Sequence, residues 1–95
     1  MSHLTHDKQR VAGRINRIIG QMEGIRRMLE ESGEGDEAVC YKVMQQFAAA
    51  RGAINSLMQD LLQEHLEHHV LDGKNAAERR EGAQELAKVL RSFTK

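Results

Sequence analysis

An all-α fold is what this sequence predicts, and three observations predict it. No proline interrupts the 95 residues, and only three aromatic side chains occur among them. Leu, Met, Ala, Glu, Gln, Arg and Lys dominate, and these are the residues that lose least on entering a helix. Apolar positions recur at alternating steps of four and three in two long runs, the spacing of one helix face.

The first run is "KQRVAGRINRIIGQMEGIRRMLEE", with Val11, Ile15, Ile18, Met22, Ile25 and Leu29 in step. It predicts a helix over residues 7–31. Gly13, Gly20 and Gly24 weaken that helix locally, and close packing against each is the expected reason. "SGEGDE" breaks the pattern, and Asp36 is placed to cap the next helix. The second run carries Val43, Phe47, Ala50, Ile54, Leu57 and Leu61 in the same rhythm. Nothing but Gly52 interrupts it, so a second helix is expected over residues 37–70, roughly 33 residues and about 50 Å long. "LDGKN" ends it, with Gly73 as the expected C-cap. A third helix is expected over 75–93, with Ala83, Leu86, Leu90 and Phe93 on one face. The chain therefore predicts one three-helix domain over 1–95. Its long central helix overhangs any partner of ordinary length. A second copy laid antiparallel covers the overhang most economically.

Composition narrows the function classes. No apolar stretch approaches the ~20 residues of a membrane span. The opening "MSHLTHDKQR" has no signal-peptide core. A single cysteine makes no internal disulfide, which fits a reducing cytoplasm. The formal charge is zero but unevenly placed: about +4 over residues 1–27, about −6 over 28–75 and about +2 over 76–95. A zero total thus leaves room for a nucleic-acid surface.

Metal-ligand types cluster in "QEHLEHHVLD", where His65 and His69 stand four apart and share a helix face. "HLEHH" is not the H-E-x-x-H motif, because Leu66 follows the first histidine. The thiol, Cys40, lies 25 residues before His65, about 37 Å along a straight helix. One chain cannot bring them together, but an antiparallel pair can. The two-fold axis would pass between Gly52 and Ala53 for the pair Cys40–His65, and between Ile54 and Asn55 for Cys40–His69. Around those points the chain reads "AAARGAINS", the small side chains that close backbone approach requires. Cys40 of one copy would then meet His65 and His69 of the other. No nucleophile–base pair with an orienting acid is present, so an enzyme is not expected. Nothing asks for an organic cofactor.

Arg10, Arg14 and Arg17 step by four and three along the first helix. They form one basic face suited to phosphate. "SGEGDE" is a poor fit to the turn of a helix-turn-helix.

Over nearly its whole length the chain resembles the CsoR/RcnR family of small metal-responsive repressors. "RINRIIGQMEGI" resembles the family's first-helix signature and "QQFAAARGAINSLM" its central one. The opening "MSH…DKQR" and the further His69 resemble the nickel/cobalt branch. The resemblance implies a three-helix protomer, an antiparallel dimer and a tetramer made of two dimers. It implies that the metal-free tetramer binds operator DNA and that the metal-bound form releases it, with an efflux gene as the regulated target. It assigns Cys40, His65, His69 and His3 to the metal, and Arg14, Arg17 and Arg51 to DNA. A thiolate with several imidazoles suits Ni(II), Co(II) or Zn(II); recruiting His3 toward six-coordination favours Ni(II) or Co(II). An aldehyde-responsive repressor using Cys40 is the alternative within the family, although residue 2 is Ser where that branch carries proline. A metal buffer without a DNA role is the alternative outside it; the arginine face distinguishes the two.

Overall fold

The computed structural model describes residues 7–93, and all regular structure among them is helical. Helix α1 spans Lys8–Glu31, α2 spans Glu37–His65 and α3 spans Ala76–Phe93. Between α2 and α3 the chain widens into one π-helical segment, Leu66–Leu71. The second helix expected over 37–70 is therefore α-helical only as far as His65. Its last turn takes i→i+5 spacing, closed by the Asp72 N–H donating to the Glu67 carbonyl at 2.9 Å. Two compact units can be distinguished, one from Lys8 to Leu57 and another built on the segment from Met58 onward.

In the first unit, Gly35 takes φ 75°, the left-handed conformation open to a residue without Cβ, and turns the chain between α1 and α2. Asp36 then caps α2 as expected: its Oδ1 accepts from the Val39 N–H at 3.3 Å. The apolar stripes divide in two. Ile25 on α1 and Val43 and Ala50 on α2 are buried, and Val11, Ile18 and Leu57 are half-buried. Ile15, Ile19, Met22 and Leu29 on α1, with Tyr41, Met44, Phe47 and Ile54 on α2, stay exposed. Each helix thus has one apolar edge turned inward and a second left open. Among the described residues, the close packing expected at the glycines of α1 is not found. Leaving aside the helix's own backbone and the adjoining residues, nothing among the described residues comes within 4 Å of a Cβ built at Gly13 or Gly20, and only an Arg27 guanidinium nitrogen comes near Gly24, at 3.9 Å.

The second unit is held by backbone approach. Asn75 caps α3, its Oδ1 accepting from the Glu78 N–H at 2.8 Å, while Glu78 Oε2 accepts from the Lys74 N–H at 3.2 Å. This reciprocal arrangement satisfies donors that the helix itself leaves open. Gly82 is buried in the middle of α3, and a Cβ there would collide with the His69 carbonyl. Gly73 has no left-handed φ, so it is not the C-cap expected of it. Its lack of a side chain serves the same close approach, because a Cβ at Gly73 would strike Arg79 and the His69 carbonyl. On α3 itself, Leu86 and Phe93 are half-buried and Leu90 is exposed.

Candidate functional site

His65 closes α2 and His69 lies one turn later in the π-helical segment. Their rings lie side by side, with centroids 4.7 Å apart and planes tilted by 32°. The i, i+4 spacing thus survives the change of helix type. His65 is held from α3: its Nε2 lies 3.2 Å from the Gly82 carbonyl oxygen and 3.5 Å from Glu85 Oε1. Both neighbours are acceptors, so in the neutral ring the proton belongs on Nε2 and the lone pair on Nδ1. A carbonyl or carboxylate that holds one ring nitrogen fixes the orientation of the imidazole, a support often found behind metal-binding histidines. Gly82 contributes twice, since the residue that offers the carbonyl to His65 is also the one that lets α3 press on His69. His68 is exposed on the same segment.

Cys40 sits in the first turns of α2. It is exposed, and it lines an open hollow of about 410 Å³ with Leu29, Val43, Met44 and Phe47 among its neighbours. Among the described residues no three His, Cys, Asp or Glu side chains come together closely enough to hold a metal ion. The chain therefore brings His65 and His69 together and does not bring Cys40 to them. His3, the fourth residue expected at the metal, lies outside the described residues. The donor types themselves, one thiolate and two imidazoles, fit a borderline divalent metal.

On the basic face, Arg14 reaches across from α1 to α2, its Nη2 donating to Ser56 Oγ at 3.1 Å. Arg14 and Arg17 line one shallow pocket with Ile18, Ala53 and Ser56. Arg10 and Arg51 are exposed and do not line it. The guanidinium groups of Arg14 and Arg17 offer donors only, in the fork geometry that matches phosphate oxygens. Ser56, Gly82 and Glu85 are functional candidates that the sequence does not single out. Gly82 carries a signal, a glycine inside an otherwise unbroken helical pattern, which marks close backbone approach. Ser56 and Glu85 carry none.

The description "metal-sensitive transcriptional repressor" belongs to a family whose model matches residues 7–92. This chain belongs to that family. It is 39% identical over 95 residues to the transcriptional repressor RcnR of Salmonella typhimurium, and the alignment covers all of both chains. It is 37% identical to the RcnR of Citrobacter koseri and 38% to that of Escherichia coli O9:H4, again over the full length of each. No solved structure matches it. The family is one of repressors, not enzymes, in keeping with the absence of any catalytic constellation expected from the sequence. A metal effector and a DNA target follow from the family description. No helix among the described residues of this repressor is long and apolar enough to cross a membrane.

Proposed function

We propose that this repressor senses Ni(II) or Co(II) in the cytoplasm, holding operator DNA as a metal-free homotetramer and releasing it when the metal is bound. A metal efflux gene is the proposed target. The observation that carries the reading is the half-built site. His65 and His69 stand ready at one end of α2, and Cys40, the thiolate they need, stands exposed near the other. An antiparallel second copy supplies the missing half at each end, so a dimer holds two sites. The exposed apolar edges of α1 and α2 support such assembly. Burial limited to side chains such as Ile25, Val43 and Ala50 does not offset an ordering cost of about 1.5 kcal/mol per residue.

In this reading Cys40 of one copy, His65 and His69 of the other and His3 would hold the metal together. Ni(II) or Co(II), when bound, supplies a multidentate cross-link at that point. Glu85 and the Gly82 carbonyl orient His65. Cys40 thereby fixes the start of α2 against the end of the partner's α2. Arg10, Arg14, Arg17 and Arg51 carry the DNA contacts, and their spacing depends on how the helices of the dimer are arranged. Linkage then requires DNA to weaken metal binding by the factor by which metal weakens DNA binding, typically about 1–3 kcal/mol of coupling.

A gel-shift on the DNA upstream of the protein's own gene tests this, with Ni(II), Co(II), Zn(II) or no metal. Retardation that Ni(II) or Co(II) abolishes is expected. Retardation insensitive to every metal but abolished by formaldehyde would overturn the metal reading in favour of an aldehyde sensor. No retardation under any condition would overturn the DNA reading.

A further inference from the structure

Asn55 lies on the helix face that carries both halves of the proposed metal centre. From Cys40, steps of four, four, three, four, three, four and three lead through Met44, Ala48, Arg51, Asn55, Met58 and Leu62 to His65. Steps of three and four keep residues on one face of a helix. Along it Met44, Ala48 and Arg51 are exposed, and Asn55, Met58 and Leu62 are half-buried. Between the ligands, only Arg51 and Asn55 are polar. The arginine is long enough to carry its charge out to solvent, whereas the asparagine is not. Among the described residues the Asn55 amide makes no side-chain hydrogen bond. Under two-fold symmetry a residue meets its own copy only at the axis. The axis that sets Cys40 opposite His69 passes between Ile54 and Asn55. It leaves the two Asn55 positions one residue rise apart along the helix, about 1.5 Å. The axis that sets Cys40 opposite His65 leaves them five rises apart, about 7.5 Å. An amide carries both donors and an acceptor. Two amides facing across a two-fold axis therefore satisfy each other, each N–H donating to the other's carbonyl oxygen.

We propose that Asn55 pairs with its own copy across the two-fold axis of the dimer and thereby sets the register in which Cys40 stands opposite His69 of the other chain. The inference rests on the shared metal centre proposed for this repressor and adds the residue that aligns it. Asn55 is a positioning residue, since it acts on the metal only through the placing of the two helices. A slipped pairing sets each amide against apolar side chains without a partner, and a buried polar group left unpaired is costly. A leucine at the same place has no such preference. One asparagine in an apolar seam fixes the register of paired helices in this way, at some cost in stability.

Cross-linking of the metal-free protein tests the register, in a Cys40→Ser background so that each introduced thiol is the only one. A disulfide needs Cα atoms about 4.4–6.8 Å apart. Asn55→Cys should join two chains readily under mild oxidation. Arg51→Cys, on the same face, should do so roughly tenfold more slowly, because its copies stand seven rises apart, about 10 Å. The reverse order would place the axis between Gly52 and Ala53, where the residue 51 positions are the nearer pair, and would overturn the pairing. Slow cross-linking by both variants, in protein that light scattering shows to be dimeric or larger, would put another face at the interface and overturn it as well. A monomer by light scattering would overturn the shared centre together with the pairing. Asn55→Leu in the chain that keeps Cys40 gives an independent reading. Helicity and assembly should persist, because leucine is the better helix former and suits an apolar seam. Co(II) affinity should fall by roughly tenfold, the scale of one satisfied polar group. Undiminished Co(II) affinity in a dimeric Asn55→Leu protein would show that the register does not depend on Asn55.

Discussion

Near the start of α2, Cys40 stands exposed in a hollow lined largely by apolar side chains, whereas at the end of that helix His65 is hydrogen-bonded to Gly82, faces Glu85 and lies beside the ring of His69. The imidazole end is organised by its own chain. A π-helical segment, two glycines that admit backbone approach and a carboxylate from α3 set the rings before any ligand arrives. At the thiol end the described residues show an exposed Cys40 beside an open hollow. A first shell is useful to the degree that it is pre-organised, so the contrast indicates which half of the proposed centre is a fixed platform and which half is brought to it. A sensor benefits from that asymmetry. If both halves were preformed in one chain, binding would change nothing in the assembly, and a ligand that favours no arrangement shifts none.

Substitutions at the two ends should differ accordingly. The largest effect is expected from Cys40→Ala. Loss of the thiolate should abolish the charge-transfer absorption of the Co(II) form. It should also reduce Co(II) affinity by more than about 100-fold, beyond the 10–100-fold typical of an outer-shell loss. Retention of the band would remove Cys40 from the centre. Glu85→Gln should have a smaller effect, weakening Ni(II) or Co(II) binding by about tenfold, because the carboxylate lies 3.5 Å from His65 Nε2, would act through that ring rather than on the metal, and is itself largely exposed. A loss as large as that of Cys40→Ala would make Glu85 a ligand and displace the platform account.

Gly82→Ala probes the platform mechanically. The added methyl must push α3 off the His69 carbonyl, an overpacking cost of about 1–3 kcal/mol. The thermal midpoint should fall by several degrees and Co(II) affinity should fall with it. By contrast, Gly20→Ala on α1 adds a methyl that meets no other described residue within 4 Å beyond its own helix backbone and adjoining residues, and should leave the packing of the described residues intact. Equal thermal stability of Gly82→Ala and the native protein would show that close approach at α3 does not hold the imidazole end.

Much of this architecture is legible in the sequence, and the parts that are not have physical reasons. Periodicity locates the three helices to within a residue or two at most ends, because helix propensity and apolar spacing agree there. It cannot reveal the π-helical segment, whose residues "LEHHVL" continue the helical pattern. What distinguishes that segment is contact with α3 at Gly82, which is remote in sequence. The stripe on α1 reads as one inward face. In the structure Ile18 and Ile25 turn inward while Ile15, Met22 and Leu29 stay exposed; steps of four and three cannot distinguish one wide face from two narrow ones. Gly73 reads as a C-cap because a glycine after a helix commonly is one, whereas its use here is steric. The histidine pair and the arginine steps need only helix geometry, so they are visible at once. Ser56 and Glu85 become notable only when a neighbouring helix is placed against them.

The central claim is that the metal centre is shared between two copies of the chain, and subunit mixing tests it most directly. Cys40→Ala protein retains the imidazole pair and lacks the thiolate. A His65→Ala/His69→Ala variant retains the thiolate and lacks the imidazoles. Neither should show the Co(II) thiolate band alone. When the two are unfolded together and refolded as mixed dimers, one complete centre per mixed dimer should form, and the band should reappear at about a quarter of the native intensity per chain if the copies pair at random. Absence of the band in mixtures shown to contain mixed dimers would contradict the shared centre, and so would a band from the double-histidine variant alone.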